Sequence, residues 1–170
     1  MKKILVLGCT GSIGTSTLNI VRSMPEDFSI CGLTAHNNEK SLNFLSNEFS
    51  CDSVLTSKDG IEAIEALIQK TNPDIVVNGI AGAAGLLPSK ITIECGKKLA
   101  LANKETVVMA WPLIKELAFN KDVEIIPVDS EHSAIFSLIN QVGRKNIKNV
   151  IITASGGPFR TLSRDELEKV

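Results

Sequence analysis

Apolar runs of β type alternate with helical patterns along almost the whole of this chain, and that alternation constrains its fold more than any other feature. The strand-like runs are Lys3–Leu7, Ser29–Thr34, Ser53–Leu55, Ile75–Val77, Lys98–Leu101, Glu124–Val128 and Asn149–Thr153. Between them the apolar spacing turns helical near Gly14–Ser23, Glu39–Glu48, Gly60–Lys70, Gly85–Cys95, Pro112–Phe119 and Ser133–Val142. Strands that are apolar throughout, rather than at alternate positions, are covered on both faces. Regular βα alternation then calls for right-handed crossovers, so the expected class is α/β with a doubly wound, mostly parallel sheet. A length of 170 residues is enough to bury a core and suits one domain.

Gly8-Cys-Thr-Gly11-Ser-Ile-Gly14 follows the first strand directly and leads into a helical stretch marked by Ile13, Thr17, Ile20 and Val21. Glycines there permit a tight turn and let backbone amides approach a pyrophosphate, which then sits on the helix N-terminus. Thr10 and Ser12 can add hydroxyl donors. A plain strand-to-helix turn also uses glycines, so the Rossmann-like reading rests on the βαβ context and not on the trio alone. The G-x-x-G-x-x-G spacing is a variant met among NADP-dependent enzymes. An NAD-specific site would place an acid about 20 residues further on, against the ribose 2′-hydroxyl. Here the second strand ends Thr34-Ala-His36-Asn37-Asn38, whose amides and imidazole suit a 2′-phosphate, and NADPH is the expected cofactor. Glu39 is expected to face solvent at the start of the next helix, with Lys40 nearby as a cation. A second small-residue loop, Asn78-Gly-Ile-Ala-Gly82-Ala-Ala-Gly85, either approaches the dinucleotide or simply packs a helix closely on the sheet.

Pro127-Val-Asp-Ser-Glu-His-Ser-Ala134 lies where a strand gives way to a helix, placing Asp129 and Glu131 at the carboxyl end of a strand, where open α/β sheets bind ligands. On an extended backbone, residues i and i+2 point the same way, so both carboxylates could grip one ion. Oxygen donors select hard cations such as Mg²⁺ or Mn²⁺. The competing reading makes Asp129 or Ser130 the N-cap of the following helix, with Glu131 in its positive first turn. Two carboxylates are also too few for a complete Mg²⁺ site, which would need substrate, water or other residues. Leu101-Ala-Asn103-Lys104-Glu105 ends another strand; Asn103 could cap a helix and Glu105 sit in its first turn, while Lys104 aims at the same crevice. Ala154-Ser155-Gly-Gly-Pro158 combines a hydroxyl with glycine amides, the make-up of an anion nest.

Composition removes several classes. With no tyrosine, no mechanism can use a phenol as acid, and two histidines, His36 and His132, leave no room for His-rich metal sites. A net charge of −1 offers no basic face for nucleic acid. Cys9, Cys31, Cys51 and Cys95 show no C-x-x-C spacing and are expected to be buried thiols of a cytoplasmic protein. The apolar run after Lys2-Lys3 is shorter than the roughly 7–15 residues a signal h-region needs. No stretch approaches the roughly 20 apolar residues of a membrane span. Near the end, Ser163-x-x-Glu166 reads as a capping box opening a helix with apolar positions Leu162, Leu167 and Val170. A helix that stops about two turns after its cap leads us to expect a fragment of a longer protein.

Four motifs in this order, Gly8-x-Thr-Gly-Ser-Ile-Gly14, Leu101-Ala-Asn-Lys-Glu105, Pro127-Val-Asp-Ser-Glu-His132 and Ser155-Gly-Gly-Pro-Phe159, resemble the 1-deoxy-D-xylulose 5-phosphate reductoisomerase family across essentially the whole chain. The resemblance implies an NADPH- and divalent-metal-dependent conversion of a sugar phosphate in non-mevalonate isoprenoid biosynthesis. It implies that Thr10, Gly11, Ser12 and Ile13 hold the cofactor phosphates, that Asn38 lies near the 2′-phosphate, and that Asn103 and Glu105 approach the nicotinamide half. His36 and Asn37 stand where many relatives carry Gly-Lys. The same resemblance makes Asp129 and Glu131 the metal ligands and Lys104 a catalytic cation beside them. Ser130, Glu131 and Lys104 would contact substrate, and Ser155 would help bind its phosphate. Residues 1–122 would then form the cofactor domain and residues 123–170 the truncated beginning of an α+β catalytic domain, from a protein that is a homodimer at full length. A rival reductase of the semialdehyde-dehydrogenase kind needs a cysteine nucleophile with a partner base, and Cys95 has no histidine in its local sequence. A non-enzymatic nucleotide sensor is the other reading; it would ignore Mg²⁺.

Overall fold

A computed structural model describes residues 1–151 and 161–168. Six strands form one sheet: β1 (Lys2–Leu7), β2 (Phe28–Ala35), β3 (Asp52–Leu55), β4 (Ile75–Asn78), β5 (Lys98–Leu101) and β6 (Ile125–Pro127). Their spatial order is β3-β2-β1-β4-β5-β6 and every pairing is parallel. The direction of the strand order reverses between β1 and β4, which makes their carboxyl ends the topological switch point of the sheet. The helices are α1 (Ser12–Ser23), α2 (Glu39–Phe49), α3 (Thr56–Asp59), α4 (Ala63–Thr71), α5 (Leu86–Glu94), α6 (Lys104–Asn120), α7 (Ser130–Val142) and α8 (Arg164–Leu167).

The continuous apolar strands are buried on both sides, as their composition requires. In β1, Ile4 and Val6 pack with Leu18 and Val21 of α1 and Leu42 of α2 on one face. Leu5 and Leu7 pack with Ile64, Leu67 and Ile68 of α4 and Ile91 of α5 on the other. A third cluster joins Leu99 and Leu101 of β5 to Ile93 of α5 and to Ala110, Ile114 and Ala118 of α6. Burying a leucine or isoleucine completely is worth about 2 kcal/mol each, so these clusters fix which helix covers which face.

Four elements differ from expectation. The helical pattern placed at Pro112–Phe119 is the second half of α6, which starts at Lys104 and bends at Ala110 (φ −144°, ψ 21°). Pro112 lacks an N–H and crowds the preceding turn, which accounts for the bend without ending the helix. The helix expected at Gly60–Lys70 is α4, which starts only at Ala63, because Gly60, with φ +80°, closes the short helix α3 that precedes it. The helix expected from Ser133 begins at Ser130. Residues 149–151 are not strand, and the rest of the expected Asn149–Thr153 run lies outside the described residues.

The chain divides into two compact units, Met1–Ala134 and Ile135–Val170. The first holds the whole sheet, β6 included. The second contains the later turns of α7, a 3₁₀ turn at Arg144–Asn146 and α8, before which the Glu166 carboxylate accepts hydrogen bonds from the Ser163 backbone N–H and hydroxyl, both at 2.7 Å.

Candidate cofactor and metal site

The β1–α1 turn is built from backbone. Gly8 adopts φ +77°, open to glycine and costly for other residues. Its N–H and that of Cys9 both donate to the Thr34 carbonyl, at 3.1 and 2.8 Å, and Gly8 N–H also reaches the Thr34 hydroxyl. A Cβ at Gly14 would overlap the Gly8 carbonyl oxygen and lie 2.6 Å from Cys9 Cα, so α1 starts hard against the sheet. Gly11 is the N-cap of α1, no side chain caps the helix, and its first turn carries no acid. The first-turn amides of a helix have no intrahelical acceptor. With the macrodipole behind them they form a positive, unsatisfied cradle. Thr10, Gly11 and Ser12 are exposed at this cradle, whereas the Ile13 side chain packs on the core and leaves only its amide for a ligand.

A cleft of about 510 Å³ opens at the switch point, lined among others by Gly8, Thr10, Gly11, His36, Thr56 and Gly79. The fully buried Thr34 anchors the glycine turn and Thr56 lines the cleft, neither of them given a role from sequence, while Gly79 brings the small-residue loop after β4 to the same cleft. A threonine at the carboxyl end of a strand is the only signal Thr34 offers. Thr56 offers none, because it arrives from the neighbouring β3.

At the end of β2, His36, Asn37 and Asn38 are all exposed. Asn38 caps α2, its Oδ1 accepting from Ser41 N–H at 3.1 Å. His36 Nδ1 lies 3.1 Å from the Thr56 hydroxyl. Glu39 faces solvent in the first turn of α2, with both oxygens 2.8 Å from Lys58 Nζ. The loop after β4 is held from below. Asn78 is fully buried, donating to the Gly85 carbonyl and the Ser89 hydroxyl at 2.8 Å and accepting from Ile80 N–H at 3.1 Å. Asn103 caps α6, accepts from Thr106 N–H, and donates to the carbonyls of Ile80 and Gly82 at 2.7 and 2.8 Å. Glu105 Oε2 lies 3.1 Å from the same Asn103 amide. Asn103 and Glu105 therefore shape the loop that walls the cleft. Lys104 is exposed at the first position of α6, where a cation opposes the helix dipole. No acidic partner within hydrogen-bond reach offsets that placement among the described residues.

The carboxylates sit at the next strand end along the sheet. Val128 N–H donates to the Leu101 carbonyl, so the two strand ends bearing Lys104 and Asp129 are neighbours. Asp129 Oδ1 accepts from His132 N–H at 2.9 Å, which makes it the cap of α7, and His132 Nδ1 is 2.8 Å from both its oxygens. Glu131 accepts from the Ser130 hydroxyl at 2.6 Å. Because α7 starts at Ser130, the extended backbone that would aim residues i and i+2 together is not present; successive residues of a helix diverge. Partial burial pushes the Asp129 carboxyl up, but hydrogen bonds from the His132 N–H and ring outweigh it and hold the group below the usual carboxylate range. The Ser130 hydroxyl does the same for Glu131. Both stay ionised at neutral pH. Among the described residues no group of three or more His, Cys, Asp or Glu is arranged to hold a metal. Ionised oxygen donors at a helix start nevertheless suit a hard cation that keeps water or substrate in its shell. Ser155 lies outside the described residues.

Cys9 is buried, while Cys31, Cys51 and Cys95 are half-buried rather than buried as expected. Burial pushes the Cys9 thiol up to about 11 and Cys51 up to about 12, and raises Cys31 and Cys95 as well. None is a ready thiolate at neutral pH, which removes the basis of a cysteine-nucleophile mechanism.

Comparison with known proteins decides the family. The chain matches the family model described as 1-deoxy-D-xylulose 5-phosphate reductoisomerase over residues 4–60 and 55–111, and the model of its C-terminal domain over residues 125–170. The chain belongs to the 1-deoxy-D-xylulose 5-phosphate reductoisomerase family. A reductoisomerase of this name from Treponema denticola is 44% identical, over 99% of this chain and 47% of its own length. The reductoisomerase from Zymomonas mobilis in complex with NADPH superposes with a TM-score of 0.80 at 34% identity, over 99% of this chain and 49% of that one. A third, a DOX-P reductoisomerase in complex with NADPH, fosmidomycin and magnesium, gives 0.80 at 31% identity over 100% and 49%. The chain spans about half the length of the curated relatives it matches. The model of the reductoisomerase C-terminal domain starts at residue 125, within β6, although β6 completes the sheet of the first compact unit.

Proposed function

We propose that this chain carries the NADPH-binding part of a 1-deoxy-D-xylulose 5-phosphate reductoisomerase and the first metal- and substrate-binding residues of its catalytic part. The reaction is the metal-dependent rearrangement and NADPH-dependent reduction of 1-deoxy-D-xylulose 5-phosphate to 2-C-methyl-D-erythritol 4-phosphate. The observation that carries this reading is the uncapped, acid-free start of α1 at the switch point of a parallel sheet, in a chain whose relatives are crystallised with NADPH.

Residues 1–122 are the cofactor domain and residues 123–170 the beginning of the catalytic domain. The Ser12 and Ile13 amides and the Thr10 and Ser12 hydroxyls donate to the pyrophosphate, and Gly11, whose N–H closes the turn on the Gly8 carbonyl, lets it approach the backbone. His36, Asn37 and Asn38 hold the 2′-phosphate. Asn103 and Glu105 fix the loop that positions the nicotinamide. Asp129 and Glu131 bind Mg²⁺ or Mn²⁺, with other oxygens completing the shell. The cation supplies Lewis acidity toward substrate oxygens, and the reduced nicotinamide supplies hydride. Lys104 adds positive charge beside developing oxyanions, Ser130 donates to the substrate, and Ser155 helps bind its phosphate. The working enzyme is a cytoplasmic homodimer whose partner is a small sugar phosphate and not nucleic acid. No helix among the described residues is long and apolar enough to cross a membrane.

The test separates binding from turnover. This chain alone binds NADPH in a fluorescence titration and does not consume 1-deoxy-D-xylulose 5-phosphate with Mg²⁺ present. Robust turnover by the isolated chain would overturn the division of labour, and absence of NADPH binding would overturn the cofactor role.

A further inference from the structure

The turn expected to read the 2′-phosphate contains one carboxylate, Glu39, and that carboxylate is not free. Lys58 of α3 places its ammonium 2.8 Å from both oxygens. The two side chains are 62% and 52% exposed, so the pair contributes little to stability and its consequence must be sought in the local field. The short α3 is fastened to the end of β2 rather than held by a core: its residues include none that are buried. Ser57 N–H donates to the His36 carbonyl at 3.2 Å, the Thr56 hydroxyl donates to the Ala35 carbonyl at 3.4 Å, and the same hydroxyl meets His36 Nδ1. Asp59 closes the element by accepting from Leu55 N–H at 2.8 Å.

The other charges around the turn are accounted for. Arg22 is committed to Glu48 and Asn19, and the Asp59 carboxylate to Leu55. Lys40 lines a second cleft of about 530 Å³ together with Thr10, Asn38 and Ser41 and makes no ion pair among the described residues. Without Lys58, the charges of Glu39, Lys40 and Asp59 would leave the turn net negative. With it the four charges balance, and the Glu39 carboxylate is the one its ammonium covers.

We propose that Lys58 is a specificity residue: by masking Glu39 it turns a net negative adenosine-ribose turn, which would repel a 2′-phosphate, into one that prefers a 2′-phosphate over a 2′-hydroxyl. The inference rests on the reading of this cleft as a dinucleotide site. Lys58 acts on the cofactor through Glu39 and α3, not as a replacement for the amides of Asn37 and Asn38.

The experiment is a binding cycle on the chain with NADPH and NADH, with the affinity ratio as readout and melting temperature as a folding control. Wild type prefers NADPH. Lys58→Gln lowers the NADPH:NADH affinity ratio by about fivefold, the size expected for exposing one charge several ångströms from a phosphate near the surface. Glu39→Gln raises the ratio or leaves it unchanged, and Glu39→Gln/Lys58→Gln recovers most of what the single lysine variant lost. Raising the salt concentration shrinks the Lys58→Gln effect. A Lys58→Gln ratio equal to wild type, in a wild type that prefers NADPH, would overturn the mask. A wild type that binds neither dinucleotide would overturn the reading beneath it.

Discussion

The β1–α1 and β6–α7 junctions are the same construction, a parallel strand passing into a helix at the carboxyl edge of one sheet, and they treat the helix start in opposite ways. At α1 the cap is Gly11, the first turn carries no acid, and the amides are left for a ligand. At α7 Asp129 caps the helix, and Glu131 adds negative charge to its first turn. The first junction is an incomplete anion site made of backbone; the second is a locally satisfied cluster of ionised side chains. A backbone site is ready without rearrangement, whereas the carboxylates must give up His132 and Ser130 to take a cation. Pre-organisation therefore belongs to the β1–α1 junction and adaptability to the β6–α7 junction.

The strongest way to break the comparison is at Gly14. Gly14→Val puts atoms where the Gly8 carbonyl and Cys9 Cα already lie, so the turn must open. We expect a loss of about 3 kcal/mol in denaturant unfolding, together with loss of NADPH binding by titration.

Next comes a charge placed where α1 avoids one. Ser12→Asp stabilises the free helix start by about 0.5 kcal/mol through the dipole yet weakens NADPH binding by about tenfold. The opposite signs are the point: a purely structural turn would gain stability and have nothing to lose.

At α7 the same logic runs in reverse. Asparagine caps helices as well as aspartate, so Asp129→Asn changes stability by less than about 0.5 kcal/mol, while Asp129→Ala costs about 1 kcal/mol. In a chain of the relatives' full length, both variants lose turnover and keep NADPH affinity, as kinetics and a cofactor titration would show.

The smallest effect is the pH response of this cap. A carboxyl held below its unfolded value adds stability at pH above that value, about 4, and loses it as pH falls through the folded value. The Asp129 side-chain carboxyl resonance, which reports the cap directly, should show its protonation step below the usual carboxylate value of about 4.

Much of this was legible in the residues. Strands apolar at every position announced burial on both faces, and Gly8-x-x-Gly11-x-x-Gly14 marked the turn that Gly8 φ and the Gly14 contacts explain. The order β3-β2-β1-β4-β5-β6 was not readable locally, because crossovers pair strands that are far apart in sequence. Trp111-Pro112 reads as a helix boundary, since the residue before proline disfavours helix; packing of Ala110, Ile114 and Ala118 overrides it with a bend. Ser130 starts α7 early because Asp129 is a strong cap, a competing reading of the same side chain that local pattern could not choose between. Lys58 was invisible for another reason: it reaches Glu39 from 19 residues away, and only the fold brings them together.

Backbone amide chemical shifts during an NADPH titration of this chain, repeated with Mn²⁺, test the contrast most directly. NADPH alone should move the amides of Gly11, Ser12, Ile13 and Gly14 and leave Asp129–Ser133 in place, while Mn²⁺ should broaden the latter group first. Unmoved Gly11–Gly14 amides at saturating NADPH, or Mn²⁺ broadening that spares Asp129 and Glu131, would contradict the account.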